Sequence, residues 1–254
     1  MAVLSIMESP PSTWEELQDF VSLILTDCGY ETKVEETVAT ARGRVNVDVF
    51  ARLQGPYVST IFCECKYWSN PIPQTVIHSF RTVINDYGAN QGIIISKIGF
   101  QSGAYEAIKN SNVQLLTWEE FQDNFRTTFI HNVIRRNHKV GRMLMSSANI
   151  VIDYTVSHPT VLSQEEFSGF QNRRERYRDY LLFSTESAYS ELDTGQVTMS
   201  EVDKVLPSYI RDIGVRISCL RDYFNVIHTY CVKELGENNE LIKVIQKRIA
   251  DGTV

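Results

Sequence analysis

TIFCECKYW, residues 60–68, opens like a buried strand, yet it carries a carboxylate and a lysine separated by one residue. Side chains alternate along a strand, so Phe62, Glu64 and Lys66 share one side, while Ile61, Cys63 and Cys65 share the other. The two charges are neighbours on one face. Burying a charge is costly unless it is paired or bound to a metal, so this spacing points either to a structural ion pair or to a catalytic site.

Immediately upstream, VNVDVFAR (residues 45–52) alternates, with Val45, Val47 and Val49 facing one way and Asn46 and Asp48 the other. LQGPY (53–57) then turns the chain back, and the two segments predict a hairpin that brings Asp48 beside Glu64 and Lys66. YETKVEETV (30–38) predicts a further strand ahead of them. In TWEELQDFVSLILTDC (13–28) the apolar positions 14, 17, 20, 21, 24, 25 and 28 follow helical spacing, with Ser12 or Thr13 as N-cap and Gly29 as the stop.

Downstream, SNPIPQ (69–74) reads as a loop and QTVIHSFRTVINDYG (74–88) as a helix with Val76, Ile77, Phe80, Val83, Ile84 and Tyr87 on its inner face. QGIIISKIG (91–99) suits a strand buried on both sides. A helix in QSGAYEAIKNSN (101–112) leads to a short strand in VQLLTW (113–118). A hairpin followed by strand, helix and strand implies an α/β fold with a mixed sheet flanked by helices, occupying about residues 12–120.

The texture then changes. Residues 119–147 are helical in pattern, NIVIDYTVSHP (149–159) is ambiguous between strand and loop, and long helices follow from Gln164, with caps at Ser163 and at Thr198 or Ser200. The expected organisation is an α/β domain over 1–125 and a mostly α-helical C-terminal domain over 126–254 for recognition, oligomerisation or partner docking. Phe167, Phe170, Tyr177, Tyr180, Leu181, Tyr223, Phe224 and Tyr230 call for a second core or an oligomer interface.

At 254 residues, 43% hydrophobic and 22% charged, the chain suits a soluble globular protein with a sizeable core. Its start, MAVLSIMESPPS, lacks a basic opening and a long apolar run, and no stretch reaches membrane-span length, so the expectation is a cytoplasmic protein with no membrane partner. Five cysteines, odd in number and embedded in apolar patterns, argue against a disulfide framework. Cys63 and Cys65 lack a second pair nearby to complete a zinc site, which favours packing over metal binding.

A net charge of −6 excludes bulk positive charge as the means of coating nucleic acid. Residues 1–120 hold 8 Lys and Arg against 14 Asp and Glu, whereas 121–254 hold 17 of each. An acidic half that approaches a polyanion needs counter-cations, and divalent metal on carboxylates would supply them. Asp48 and Glu64 offer hard oxygen ligands of the kind that hold Mg²⁺, and Lys66 beside them could orient a water and stabilise a phosphorane-like transition state. Read from these residues alone, metal-dependent phosphodiester hydrolysis and a structural ion pair both stay open.

RVNVDVFAR (44–52), FCECKYW (62–68) and QGIIISKIGFQSGAYEAIKNSNVQLLTWEEF (91–121) together resemble the catalytic domain of Mrr-like restriction endonucleases, within the PD-(D/E)xK nuclease superfamily. The resemblance covers about residues 12–123. It rests on order as well as spacing: a helix ending in Gly-Tyr, Asp in the second strand, Glu-x-Lys in the third, then the Gly-Ile-Ile-Ile-Ser strand. It implies that Asp48 is the central metal ligand for Mg²⁺ or Mn²⁺, that Glu64 is the second, and that Lys66 positions the attacking water. Gln74, at the start of the helix after the loop, occupies a position where family members often line the site; an exposed helix start is the competing reading.

One departure stands out. The family commonly carries a Phe-Glu pair in the first helix, and here that pair falls on Leu17-Gln18, where Gln18 supplies no charge. Glu15, one turn earlier, could substitute, or could with Glu16 simply favour the helix N-terminus. The missing carboxylate bears on whether a second metal binds.

The implied activity is an endodeoxyribonuclease acting on DNA, with defence against phage or plasmid DNA as its role, a homo-oligomer as its working form and a defence-system protein as a further partner. The alternatives are a structure-specific repair nuclease on the same fold, or a catalytically degenerate binding or assembly module. Arg42 and Arg44 in RGR (42–44) could touch phosphates at the rim of the site or belong to a solvated loop. The clusters IRRNHKVGR (134–142) and NRRERYRDY (172–180) could contact nucleic acid or form ordinary charged helix faces. No histidine stands with a Ser or Cys in a nucleophile arrangement.

Overall fold

The structure, a computed structural model, describes residues 5–183 and 216–252. They divide into two compact units, Ser5–Asn132 and one drawn from Val133–Val254.

The first unit begins with α1 (Trp14–Asp27), whose start is fixed by a reciprocal cap. Glu16 N–H donates to Thr13 Oγ1 at 3.1 Å, while Ser12 N–H donates to the Glu16 carboxylate at 2.6 Å. Gly29, at φ +96°, ends the helix and lets Tyr30 N–H return to the Leu25 carbonyl at 3.0 Å. Leu17, Val21, Ile24 and Leu25 are buried along one face.

Five strands follow: β1 (Glu31–Thr40), β2 (Gly43–Leu53), β3 (Ser59–Lys66), β4 (Gln91–Ser96) and β5 (Val113–Thr117). They lie in chain order; β1, β2 and β3 are antiparallel neighbours, and β3, β4 and β5 are parallel. The parallel joins need crossovers, supplied by α2 (Gln74–Tyr87) and α3 (Ser102–Ala107). This is the restriction-endonuclease-like mixed sheet flanked by helices that the sequence implied. Ile77, Phe80 and Ile84 of α2 pack with Phe62 and Ile94 in one core, and β4 is buried almost throughout, as its triple isoleucine requires.

A long helix, α4 (Trp118–Ser157), carries the chain from the first unit into the second, where α5 (Gln164–Phe183) and α6 (Leu220–Ala250) complete the described elements. Residues 149–157, ambiguous between strand and loop in the sequence, are the last turns of α4. Leu144, Ala148 and Val151 form a buried stripe at helical spacing, which overrides the β-branched character of Ile150 to Ile152. The helix stops just before the loop at His158, as expected for a residue ahead of proline.

Ser163 caps α5 as anticipated: Glu166 N–H donates to Ser163 Oγ at 3.2 Å and Ser163 N–H to the Glu166 carboxylate at 2.8 Å. The second unit has its own core, in which Phe170, Tyr177, Tyr223, Phe224 and Tyr230 are buried, with Phe167 half-buried. The proposed caps Thr198 and Ser200, and the side chains of Tyr180 and Leu181, lie outside the described residues. All five cysteines are free and buried. Among the described residues no helix is long and apolar enough to cross a membrane.

Candidate active site

The hairpin places Asp48 where β2 leaves its neighbours. Pairing with β3 runs from Leu53↔Ser59 to Val49↔Cys63 and ends there. Pairing with β1 also skips one position: Val34↔Val49 and Glu36↔Val47 are matched, but the residues between them, Glu35 and Asp48, are not. Glu35 has φ +52°, a left-handed conformation uncommon for a residue with a side chain. The Asp48 carboxylate fills the gap by accepting a hydrogen bond from Cys65 N–H at 2.7 Å.

This break re-aims the strand. Val47 packs in the same core as Phe62, and so does Phe50, three residues on, whose ring lies 5.6 Å from that of Phe62. Residues three apart on an unbroken strand face opposite ways, so the alternation expected for 45–49 does not hold across Asp48. Interruptions of this sort recur beside active sites because they turn a side chain out of the sheet pattern.

Glu64 and Lys66 lie at the end of β3, on the face covered by α2, and form an ion pair. Together with Val45, Asn46 and Trp68 they line one side of an open cavity of about 390 Å³, and α2 supplies Thr75 and Ser79 on the other. Lys66 Nζ also sits 5.6 Å from the centroid of the half-exposed Trp68 ring, within cation–π range. Burial and then the charge of Asp48 push the Glu64 carboxyl above its ordinary value, and Lys66 opposes both. The Cys65 N–H that Asp48 accepts belongs to the residue after Glu64, so the hairpin brings the two carboxylates near one another, although Asp48 itself does not line the cavity.

The other residues singled out in the sequence are dispersed. Gln74 opens α2 and is exposed; its Oε1 lies against the backbone of Gly103, 3.0 Å from where a Cβ would stand. Glu15 is exposed on the first turn of α1, while Gln18 is buried, with 5% of its surface accessible. Arg42 sits at the β1–β2 turn and pairs with Asp86 at 3.1 Å, near the C-terminal end of α2 and about 16 Å along that helix from Thr75. Arg44 is exposed on β2.

Trp68, Thr75 and Ser79 were not picked out from sequence. Thr75 and Ser79, four apart on a helix, offered a usable signal, since that spacing puts two hydroxyls on one face. Cys63 and Cys65 are not metal ligands in character: burial raises both thiols well above the ordinary range, which keeps them protonated.

Among the described residues no group of three or more His, Cys, Asp and Glu side chains gathers in a metal-ligating cluster. Asp48 and Glu64 nonetheless form a fitting pair of donors for a small divalent cation. Mg²⁺ is commonly held by one or two carboxylates plus water and phosphate oxygens, and a cation there would relieve the charge that raises Glu64.

Residues 11–125 match the family model of the Mrr catalytic domain, described as restriction endonuclease. Over this stretch the resemblance drawn from the motifs is shown, and it supports a nuclease of the restriction-endonuclease type. No curated protein matches the chain. A crystal structure of a protein of unknown function, AF1548, is similar at 15% identity over 91% of this chain and 99% of that one, with a TM-score of 0.39.

Proposed function

We propose that the protein is a Mg²⁺- or Mn²⁺-dependent endodeoxyribonuclease, with residues 1–125 as its catalytic domain and 126–254 as a helical domain that serves DNA capture or assembly. The observation that carries this reading is the Glu64–Lys66 pair lining an open cavity, with Asp48 anchored on the neighbouring Cys65 N–H, inside a domain of the restriction-endonuclease type. Asp48 and Glu64 would hold the cation. The chemistry such a cation supplies is polarisation of the scissile phosphate and acidification of water.

The chain's own residues do the rest. Asp48 is held by Cys65 N–H, so its carboxylate enters the site pre-oriented. Lys66, steadied by Glu64 and Trp68, directs a water at phosphorus and neutralises charge on the phosphoryl oxygens as the new P–O bond forms. The attacking water gives up a proton to solvent, the P–O bond to the leaving sugar oxygen breaks, and that oxygen takes a proton from solvent. Defence against foreign DNA is the role that family company suggests, and a homo-oligomer is the form expected if both strands are cut together.

The test is cleavage by the purified chain and by Lys66→Ala. Plasmid, linear, branched and single-stranded DNA and an RNA control are each offered with Mg²⁺, Mn²⁺ or EDTA. Metal-dependent cleavage of DNA that falls at least about 100-fold in the variant is the expected result. Cleavage that persists in EDTA or in Lys66→Ala would overturn it, and a preference for branched DNA would move the role to repair. The buried Gln18 in place of a carboxylate favours a second reading, a degenerate module, for which failure to bind Mn²⁺ is the signature.

A further inference from the structure

In the helical unit, α4 and α6 flank an open groove of about 660 Å³. Arg135, His138, Lys139 and Arg142 line it from α4 at intervals of three and four residues, and Ser146 continues the row. From Arg135 to Arg142 the helix rises about 10 Å. Asn239 faces this row from α6, and among the described residues no acidic side chain lines the groove.

Arg135, Lys139 and Arg142 are exposed, and none has an ion-pair partner among the described residues. The carboxylates that flank Asn239 in sequence are already answered: Glu237 lies 3.2 Å from Arg173, and Glu240 lies 2.7 Å from Lys243. Three cations in a line, without ion-pair partners among the described residues, are unusual in a chain of net charge −6. Their self-repulsion is relieved by an anion, and a row, unlike a converging cluster, suits a linear polyanion better than a single phosphate.

We propose that this groove binds the phosphate backbone of DNA. Arginine, lysine, serine and asparagine are the side chains that typically hold phosphate oxygens without reading sequence. The acidic excess of residues 1–120, with 8 Lys and Arg against 14 Asp and Glu, repels a duplex at long range, so cations elsewhere in the chain would favour its capture alongside any bound metal. The nuclease reading supplies only the identity of the polyanion; the groove and its charge stand without it.

The experiment uses the full chain carrying Lys66→Ala, in EDTA, titrated against a fluorescent duplex of random sequence at several salt concentrations. The comparison protein also carries Arg135→Gln, Lys139→Gln and Arg142→Gln. The expected result is a loss of affinity of at least about 10-fold and a fall of about 2.7 in the slope of log K against log salt, about 0.9 for each lost contact. Unchanged affinity and slope, in a variant whose circular dichroism and melting match the parent, would overturn the proposal. That outcome is the one expected if the groove receives an acidic protein surface instead.

Should the triple variant fail to fold, Lys139→Gln and Arg142→Gln are read singly, each lowering the slope by about 0.9; two unchanged slopes would equally overturn it. Binding is read without metal and without Lys66, so the two readings fail separately. A wild-type protein that cuts nothing leaves the groove untouched, whereas wild-type cleavage with groove-independent binding removes only the groove.

Discussion

Asp48 accepts the backbone N–H of Cys65 at 2.7 Å, so a single carboxylate closes a gap in the sheet and, on the proposed reading, would also hold the cation. The two roles separate by substitution. Asp48→Asn keeps an oxygen for the Cys65 N–H and removes the charge; its stability should stay within about 1 kcal/mol of the parent, while cleavage falls about 1,000-fold or more. Asp48→Ala should lose cleavage equally and also about 1–3 kcal/mol of stability, because the N–H is left without its partner. Urea unfolding and plasmid nicking on both variants test this, and equal stability of the two would refute the structural half.

Glu64 links the site to pH. Burial and the neighbouring Asp48 raise its folded-state pKa above the ordinary carboxylate value. A raised carboxyl means that the folded protein holds a proton the unfolded chain has released, so stability is lost as pH rises from about the ordinary value through the raised one. A divalent cation on Asp48 and Glu64 should reverse this by favouring the ionised form. Melting with and without Mn²⁺ should therefore show a larger stabilisation at about pH 7.5 than at about pH 5. A metal-induced shift that is absent, or that is larger at the lower pH, would exclude this pair as the ligands.

Much of the first unit was legible because its signals are local. Alternation in β3, the cap at Thr13, the stop at Gly29 and the triple isoleucine of β4 each act within a few residues. The hairpin was enough to bring Asp48 toward Glu64. The break at Asp48 was not legible, since it depends on Glu35 across the sheet and on Cys65 in the next strand. The same limit applies to Arg42, whose partner Asp86 lies 44 positions away and draws it to the end of α2. In the helical unit the groove cations were visible as a cluster, but that Arg135, Lys139 and Arg142 have no ion-pair partner among the described residues becomes apparent only from the packing.

Gly92 has a packing reason for being glycine. A Cβ at this position on β4 would stand 2.7 Å from Phe80 Cε1 and 2.8 Å from Ile84 Cγ1, both buried side chains of α2. Neither is the free end of an exposed chain, so α2 must shift away from the sheet. Gly92→Ala should cost about 1–3 kcal/mol in chemical unfolding, as overpacking of a close-packed core does. Because α2 forms one wall of the candidate site, cleavage should fall as well. Full stability in Gly92→Ala would show that the helix does not rest on this strand as described.

Tyr177 ties together the core of the helical unit. Its hydroxyl lies 3.1 Å from both Glu234 Oε2 and Asn238 Oδ1, and Asn238 in turn donates to Ser147 Oγ at 3.0 Å. Tyr177 and Asn238 have no accessible surface, and Glu234 only 4%. The hydroxyl carries one proton, so it donates to one of the two oxygens at a time and is positioned by both. Tyr177→Phe removes that donor and leaves two buried acceptors underserved, which should cost about 1–3 kcal/mol. The loss should appear in unfolding followed by the tyrosine-rich helical unit, with metal-dependent stabilisation at Asp48 and Glu64 unchanged. A neutral Tyr177→Phe would mean that Glu234 and Asn238 are satisfied by other groups, and that the hydroxyl does not hold α5 to α6.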